Sequence, residues 1–176
     1  MTISIRSRNP FIRLIAGLFF ISLLLFAVGC SNDGTSISTG ENDSETRDEL
    51  HDMEQEVHLQ INEYRQSQFL STLRWSETIA DYCRTHSLDM AAGRVAFGHS
   101  GFETRIEGIG QTLFYESAAE NVAYNNYADP ASTAVQGWLM SPGHLANIQG
   151  DFDLTGIGVA MSDDGLYYFT QIFIRQ

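Results

Sequence analysis

The chain has 176 residues with 22 acidic and 10 basic side chains, which gives a formal net charge of −12 at neutral pH. Every basic residue other than histidine is an arginine. A surface this acidic is a poor partner for nucleic acid and offers no basic patch to anionic lipid headgroups, so we predict no nucleic-acid partner. Any attachment to a membrane must then come from a covalent lipid.

Residues 1–29 are typical of a bacterial lipoprotein signal peptide. Three arginines precede an apolar run of fifteen residues, Leu14 to Val28, which is short of the ~20 residues that span a bilayer. The run leads into Phe-Ala-Val-Gly and Cys30, which resembles a lipobox with Ala27 where leucine is usual. We predict an exported protein that is anchored to the bacterial cell envelope, on its extracytoplasmic side, through a lipid on Cys30. An ordinary secretory cleavage nearby is the alternative.

Residues 30–49 are predicted to be the lipidated cysteine and a disordered linker. The stretch is rich in Ser, Thr, Asn, Asp, Gly and Glu, and Ile37 is its only large apolar residue before Leu50. Such a composition cannot bury enough apolar surface to order the chain, and as a coil it would reach roughly 20–25 Å. The remaining residues, 50–176, have the size of one domain with one core.

Apolar residues at helical spacing predict four helices in this domain. The first covers about 49–66, and the second follows a Ser76 N-cap and runs to about 92. The third covers Phe102 to Ile109, and the fourth begins after Pro130 and ends at Met140. Asn62 and Arg65 lie on one side of the first helix, where we interpret them as scaffold that joins helix to sheet.

The C-terminal part of the chain changes to a strand pattern. Residues 156–161 and 166–174 flank an Asp-Gly pair, which predicts a β-hairpin. Glu120 to Tyr124 form a further predicted strand, and Tyr124 and Tyr127 are interpreted as ordinary loop aromatics rather than the rim of a binding cleft. Helices that precede and interleave with a few strands indicate an α+β fold with helices on the sheet faces.

Three residues whose side chains could bind a metal or transfer a proton lie outside any local motif. His144 follows Pro142-Gly143, a pair that ends the fourth helix and fixes the direction in which the histidine leaves it. His99 lies in a Gly-flanked turn, and Glu120 is a lone carboxylate among small apolar residues. Since a buried carboxylate needs a cation, a donor or a proton, Glu120 requires a partner.

The other histidines and the thiol are given structural roles. His51, His58 and His86 are expected to be solvated or half-buried, and Cys83 is expected to be a packed thiol. A Cys83/His86 nucleophile pair is the less favoured alternative, because no third group is evident to orient it.

Six segments, in order, resemble the CAP superfamily of cysteine-rich secretory, antigen 5 and pathogenesis-related-1 proteins (also called SCP-like). The resemblance covers almost all of residues 53–175 and implies an α–β–α sandwich with a central antiparallel sheet and a central cleft. The segments that resemble the family are Ile61–Arg65, Leu73–Ser76 with Ala80–Met90, Phe97–His99, Ala119–Ala123, Trp138–Ile148, and Thr155–Ala160 with Tyr168–Phe173.

The resemblance also implies a set of cleft residues. Many family members line the cleft with two histidines and two glutamates that bind a divalent metal, and by position His99, Glu120 and His144 match three of the four. Ser141 occupies the place of the second glutamate, and Gln171 is placed near the cleft. Two interpretations are left level: a zinc site with one position open for water, and a metal-free hydrogen-bonded cluster. Zn²⁺ is favoured if any ion binds.

Two functions follow from these interpretations. The favoured one is a non-enzymatic, surface-tethered binding module for an unidentified lipid, cell-wall or protein ligand. The alternative is a zinc-dependent hydrolase that uses metal-bound water at His99, Glu120 and His144. It is less favoured because Ser141 is a poor general base and the sequence contains no nucleophile elbow.

Overall fold

The computed structural model describes residues 39–176, with side chains from residue 44 onward. The predicted signal peptide, the predicted lipidation site Cys30 and residues 31–38 of the predicted linker lie outside the described residues. Within the described range, no helix combines the length and the apolar character that crossing a membrane requires.

The described residues form five helices and four strands. The helices are α1 (Thr39–Ser67), α2 (Glu77–Ala91), α3 (Phe102–Ile109), α4 (Pro130–Met140) and α5 (Pro142–Ile148). The strands are β1 (Arg74–Trp75), β2 (Ser117–Asn125), β3 (Leu154–Met161) and β4 (Tyr167–Arg175). The predicted helices and the predicted hairpin are therefore all present, and their ends differ little from the prediction except at the start of α1.

The first helix starts earlier than the sequence indicated. We predicted a start near residue 49, whereas α1 begins at Thr39, so residues 39–49 of the predicted linker are helical. The physical reason is that this polar stretch is also acidic, and negative charge near a helix N-terminus complements the helix dipole. Composition alone predicted disorder because it counts apolar residues and ignores this effect.

The sheet is mostly, but not entirely, antiparallel. Its strand order is β1-β3-β4-β2, and β4 pairs antiparallel with both β3 and β2. The two-residue strand β1 pairs parallel with β3, which corrects the prediction of an antiparallel sheet at this one edge. Between β3 and β4 the chain turns at Ser162–Leu166, where Gly165 adopts a φ of +80° that favours glycine.

Helices cover both faces of the sheet, as the α–β–α prediction requires. On one face α1, α4 and α5 pack against Ala119, Phe169 and Phe173. On the other face α2 and α3 pack against Ala118 and Ile172. Because neighbouring residues of a strand point to opposite faces, Ala118 and Ala119 belong to different layers of the core.

Two glycines of β3 allow α2 to lie directly on the sheet. A Cβ at Gly156 would overlap the backbone of Ala80, and a Cβ at Gly158 would overlap the backbone of Arg84. The contact is completed by Cys83, whose buried thiol donates to the Gly156 carbonyl at 3.3 Å. Burial raises the pKa of Cys83 well above its ordinary value, so this residue is a packed thiol, as predicted.

Arg65 and Asn62 have the scaffold roles predicted for them. Arg65 is 2% exposed and donates to the carbonyls of Ile148 at 2.6 Å and Gly150 at 2.9 Å. Asn62 exchanges hydrogen bonds with the backbone of Leu73, accepting at 2.8 Å and donating at 3.0 Å. Arg65 thereby fixes the C-terminal end of α5, the helix that contains His144.

Candidate functional site

The predicted site residues come from three elements near the β2 edge of the sheet. Glu120 lies in β2, His99 lies in the turn before α3, and His144 lies in the first turn of α5. Since β2 is the last strand of the sheet, the two helical layers can approach one another beyond it. The site therefore combines an element from each layer with the edge strand between them.

The carboxylate of Glu120 is buried and fully engaged by cationic or polar donors. Its side chain is 2% exposed. Arg105 of α3 donates to it in a bidentate manner, from Nε to Oε2 at 3.0 Å and from Nη2 to Oε1 at 2.8 Å, with a further Nη2 contact to Oε2 at 2.7 Å. His99 Nδ1 lies 3.0 Å from Oε1. An ionised carboxylate only accepts, so this nitrogen is the donor.

Arg105 is the partner that the sequence argument required for Glu120 but did not identify. Its side chain is 11% exposed, and its Nη1 donates to the Ser100 carbonyl at 2.8 Å. The sequence gives little indication that Arg105 is this partner, because an arginine near the middle of a short amphipathic helix usually lies in solvent. Arg105 therefore holds both the carboxylate of β2 and the turn that contains His99.

His86 supports the same turn from α2. Its Nε2 lies 2.8 Å from the Gly98 carbonyl, so Nε2–H donates to it. His86 is 3% exposed, which corrects the prediction of a solvated or half-buried residue, whereas His51 is exposed and His58 is half-buried as predicted. Burial lowers the pKa of His86, which favours the neutral imidazole.

The break before His144 is built as the sequence predicts. Ser141 is extended, with φ −101° and ψ 116°, and it is both the last cap of α4 and the first cap of α5. The residue before a proline disfavours helical angles, so Pro142 forces this interruption. His144 is half-buried, and burial lowers its pKa, with the nearby charge of His99 acting in the same direction.

Two buried asparagines tie α5 to the edge strand. Asn147 donates to the Glu120 carbonyl at 3.1 Å and to Asn121 Oδ1 at 2.9 Å. Asn121 in turn donates to the His144 carbonyl at 3.3 Å. The sequence analysis gave neither residue a role, although both lie within segments that resemble the family. They fix the position of His144 relative to β2.

The two residues predicted to line the cleft are placed differently from one another. Ser141 is half-buried beside Pro142, and its side chain makes no capping bond. Gln171 is fully buried in the inner strand β4, where its Nε2 donates to Thr155 Oγ1 at 3.1 Å. The prediction for Gln171 is therefore corrected, because an inner strand covered on both faces leaves no open surface there. Its Oε1 has no hydrogen-bond partner among the described residues.

The predicted zinc ligands are not arranged as a metal site. Within residues 39–176, no group of three or more His, Cys, Asp or Glu side chains is placed to hold a metal ion. At Glu120, both carboxylate oxygens already accept from Arg105, and Oε1 also accepts from His99. The contacts fit the hydrogen-bonded cluster that the sequence left open, and they do not fit Zn²⁺ at His99, Glu120 and His144.

Aromatic rings lie beside this polar cluster. Phe97 and Tyr124 form an edge-to-face pair with centroids 4.7 Å apart, and Tyr124 stacks on Tyr168 at 5.7 Å. Phe97 is 47% exposed and Tyr124 is 52% exposed. Tyr124 belongs to β2, which confirms the strand predicted from Glu120 to Tyr124 and corrects the interpretation of Tyr124 as a loop aromatic, whereas Tyr127 lies beyond the strand. We call Phe97, Tyr124 and Tyr168 the aromatic strip.

A cavity of about 540 Å³ lies at the opposite edge of the sheet, between α1, α2 and the end of β3. It is lined by Leu50, Val159 and Met161 together with the ion pair of Glu54 and Arg84. None of the predicted site residues lines it. The cavity is therefore separate from the histidine-containing site.

Comparison with known proteins gives one family and several similar folds. The model of the CAP family, described as the cysteine-rich secretory protein family, matches residues 59–173. An extracellular SCP-domain protein of Bacillus anthracis is 26% identical with a TM-score of 0.64, and the match covers 83% of this chain and 45% of that protein. Among curated proteins, none has a significantly similar sequence.

Two further solved structures are similar in fold. An outer surface protein of Borrelia burgdorferi is 20% identical with a TM-score of 0.57, over 82% of this chain and 99% of that one. A cysteine-rich secretory protein of Staphylococcus aureus is 19% identical with a TM-score of 0.57, over 82% of this chain and 42% of that one. The chain thus spans less than half the length of the Bacillus and Staphylococcus proteins.

Proposed function

Since the chain belongs to the CAP family of cysteine-rich secretory proteins, we propose that it is a non-enzymatic binding module on the outside of the cell. A lipid on Cys30 tethers it to the envelope, and the site around His99 and Glu120 contacts an envelope or extracellular ligand. The similarity of the chain to an extracellular protein of Bacillus anthracis and to an outer surface protein of Borrelia burgdorferi supports this location.

The observation on which the proposal depends is that hydrogen-bond donors of the protein already occupy both carboxylate oxygens of Glu120. A general base must accept a proton from a reacting group within hydrogen-bond reach. Glu120 is 2% exposed and already accepts from Arg105 and His99, so it offers no free lone pair to a substrate. Ser141 stands where a second carboxylate would be needed. These residues favour recognition over hydrolysis.

The exposed groups beside Glu120 indicate the chemistry of the ligand. The aromatic strip presents partly exposed rings at Phe97 and Tyr124, and Phe97 lies two residues before the partly exposed His99 along the chain. Exposed apolar surface bordered by polar groups is typical of interaction sites. A sugar ring combines an apolar face with hydroxyl groups on its rim, so we propose a cell-wall polysaccharide as the ligand.

Sedimentation with purified cell-wall sacculi tests the binding. We expect Tyr124→Ala to weaken binding by about 5- to 30-fold, since loss of an aromatic contact costs ~1–2 kcal/mol. Phe69→Ala is the matched control, because Phe69 is 99% exposed at the end of α1 and belongs to neither the site nor the strip. Equal sedimentation of both variants and the wild type would contradict the proposed surface.

The same sacculi distinguish binding from hydrolysis. We expect no release of soluble sugar or peptide fragments during prolonged incubation with the wild type. Release that disappears in Glu120→Gln but persists in Phe69→Ala would replace the proposed function with the hydrolase alternative.

Membrane fractionation tests the tether. Cys30→Ala is expected to move the protein from the membrane fraction to the soluble fraction, whereas Cys83→Ala, which removes the buried thiol, leaves it in the membrane fraction. A mature N-terminus without a lipid mass would overturn this part of the proposal.

A further inference from the structure

We infer that Arg105 is the built-in cation of this cleft: its guanidinium neutralises Glu120 permanently and makes the site selective against divalent metal ions. The inference concerns the cleft to which the proposed function assigns ligand binding, and it rests on that function only in this assignment. It explains why the cleft contains the two histidines and the one glutamate that the resemblance implies, although these side chains are not arranged as a metal centre.

The need for a cation follows from burial. A carboxylate that is 2% exposed loses nearly all of its hydration and must be compensated by a cation, a donor or a proton. A metal ion supplies such a charge only while it is bound. Arginine remains charged at every pH that the folded protein encounters, and its planar fork matches both oxygens of a carboxylate.

The position of Arg105 leaves no place for a metal at Glu120. The three guanidinium contacts, at 2.7, 2.8 and 3.0 Å, reach both carboxylate oxygens. A divalent ion bound to these oxygens would have to displace those contacts and then lie a few ångströms from a fixed positive charge. Repulsion between the two positive charges at such distances in a partly buried site works against any gain from coordination.

The guanidinium is also held so that it cannot turn away from Glu120. Nη1 donates to the Ser100 carbonyl at 2.8 Å. Gly101, with a φ of +77°, leaves room for this contact, since a Cβ there would lie 3.3 Å from Nη1. Phe102, Ile106 and Ile109 are buried and fix α3, the helix that positions the arginine. A metal ion that competed with Arg105 would therefore also disturb the turn containing His99.

Thermal unfolding of the full chain in mild detergent, with excess EDTA or with Zn²⁺, tests the inference. We expect the wild-type Tm to change by less than about 1 °C between the two conditions, because zinc has no site to bind. Arg105→Met is expected to lower the Tm in EDTA by on the order of 10 °C, since Glu120 loses its buried charge partner. Zinc at ~100 times its Kd should then recover about 5 °C, with His99 and His144 turning towards the freed carboxylate of Glu120, because the three side chains are not placed around an ion in the wild type.

Two double variants complete the test. Arg105→Met with His144→Ala should lose the recovery by zinc, and Arg105→Met with Glu120→Gln should unfold at a higher Tm than Arg105→Met alone and ignore zinc. Arg105→Met alone could fail to fold without zinc. In that case, folding of the Arg105→Met/Glu120→Gln chain supports the inference, because it shows that the unpaired carboxylate prevented folding. Folding of neither chain contradicts it, because removing both charges should relieve the unpaired carboxylate.

Stoichiometric zinc binding by the wild type that is lost in His144→Ala overturns the inference. So does an Arg105→Met chain that is as stable as the wild type in EDTA. Neither readout uses sacculi, so the proposed function and this inference fail independently of one another.

Discussion

A single methyl group at Gly158 is predicted to destabilise the domain strongly. The Cβ of Gly158→Ala would overlap the backbone of Cys83 and Arg84, far inside the ~3.5–4.0 Å of normal carbon contact. The obstacle is backbone rather than a flexible side chain, so α2 has to move away from β3. That movement also strains the hydrogen bond of 2.8 Å from Ser87 Oγ to the Gly158 carbonyl.

The magnitude follows from these two losses. Overpacking a well-packed interior costs about 1–3 kcal/mol, and we expect the upper end because backbone cannot rotate out of the way. The weakened hydrogen bond adds ~1 kcal/mol. We therefore expect a loss of roughly 3–4 kcal/mol from a total of about 5–15 kcal/mol. Because urea m-values are about 1–3 kcal/mol/M, the unfolding midpoint should fall by about 1–4 M.

Urea unfolding followed by tryptophan fluorescence measures this shift, and Gly137→Ala is the matched control. Gly137 lies inside α4, and a Cβ there would meet nothing within 4 Å. Alanine should therefore stabilise the control by up to ~1 kcal/mol through its helix propensity. A Gly158→Ala midpoint equal to the wild type, or to the control, would refute the argument that α2 lies directly on β3 because of this glycine.

Three further predictions concern named side chains. Arg65→Ala should lose about 2–4 kcal/mol in the same urea assay, because three carbonyls then lose a charge-assisted donor. Cys83 should resist a thiol reagent in the native protein and react fully in denaturant, and a native reaction at the denatured rate would contradict its burial. The folded pKa of His86 lies below the ordinary 6.5, so its contribution to stability is complete above pH 6.5 and is lost as the pH falls towards the folded pKa. His86→Asn should weaken the dependence of the unfolding free energy on pH in this range. If the dependence is the same in the variant, groups other than His86 cause it.

The elements that the sequence predicted best are those with a long apolar period or a distinctive turn. The hairpin was predictable because Asp164-Gly165 lies between two alternating segments, and α3 was predicted with the bounds that the structure has. The strand β1 has two residues and so contains no period to detect. The early start of α1 was missed because a polar, acidic stretch can be a linker or a helix terminus, and composition does not separate the two.

At the site, the sequence predicted the need for a partner but not the partner itself. Burial of Glu120 follows from its small apolar neighbours, and from burial follows the requirement for a cation or a donor. Arg105 is 15 residues away along the chain and joins Glu120 only because α3 packs over β2. The burial of Gln171 was missed for the same kind of reason, since nothing local marks β4 as an inner strand.

A second buried glutamate helps to assign the role of the first. At the β3 edge, Glu54 of α1 is 2% exposed and pairs with Arg84 of α2, and it also accepts from the Val159 amide at 3.2 Å. That pair joins the two helical layers across the edge of the sheet. Glu120 and Arg105 form the same kind of contact at the β2 edge.

A buried glutamate–arginine pair is therefore a structural device that this fold uses at both edges, and it does not by itself mark a reactive centre. Glu54 also has a histidine contact, from His51 at 3.3 Å, so what distinguishes the β2 edge is its second histidine, His144, together with the aromatic strip. Substitution of the rings or of His99 should therefore change ligand binding more than stability. Substitution of Glu120 should change stability first, because it leaves the guanidinium of Arg105 buried without its charge partner.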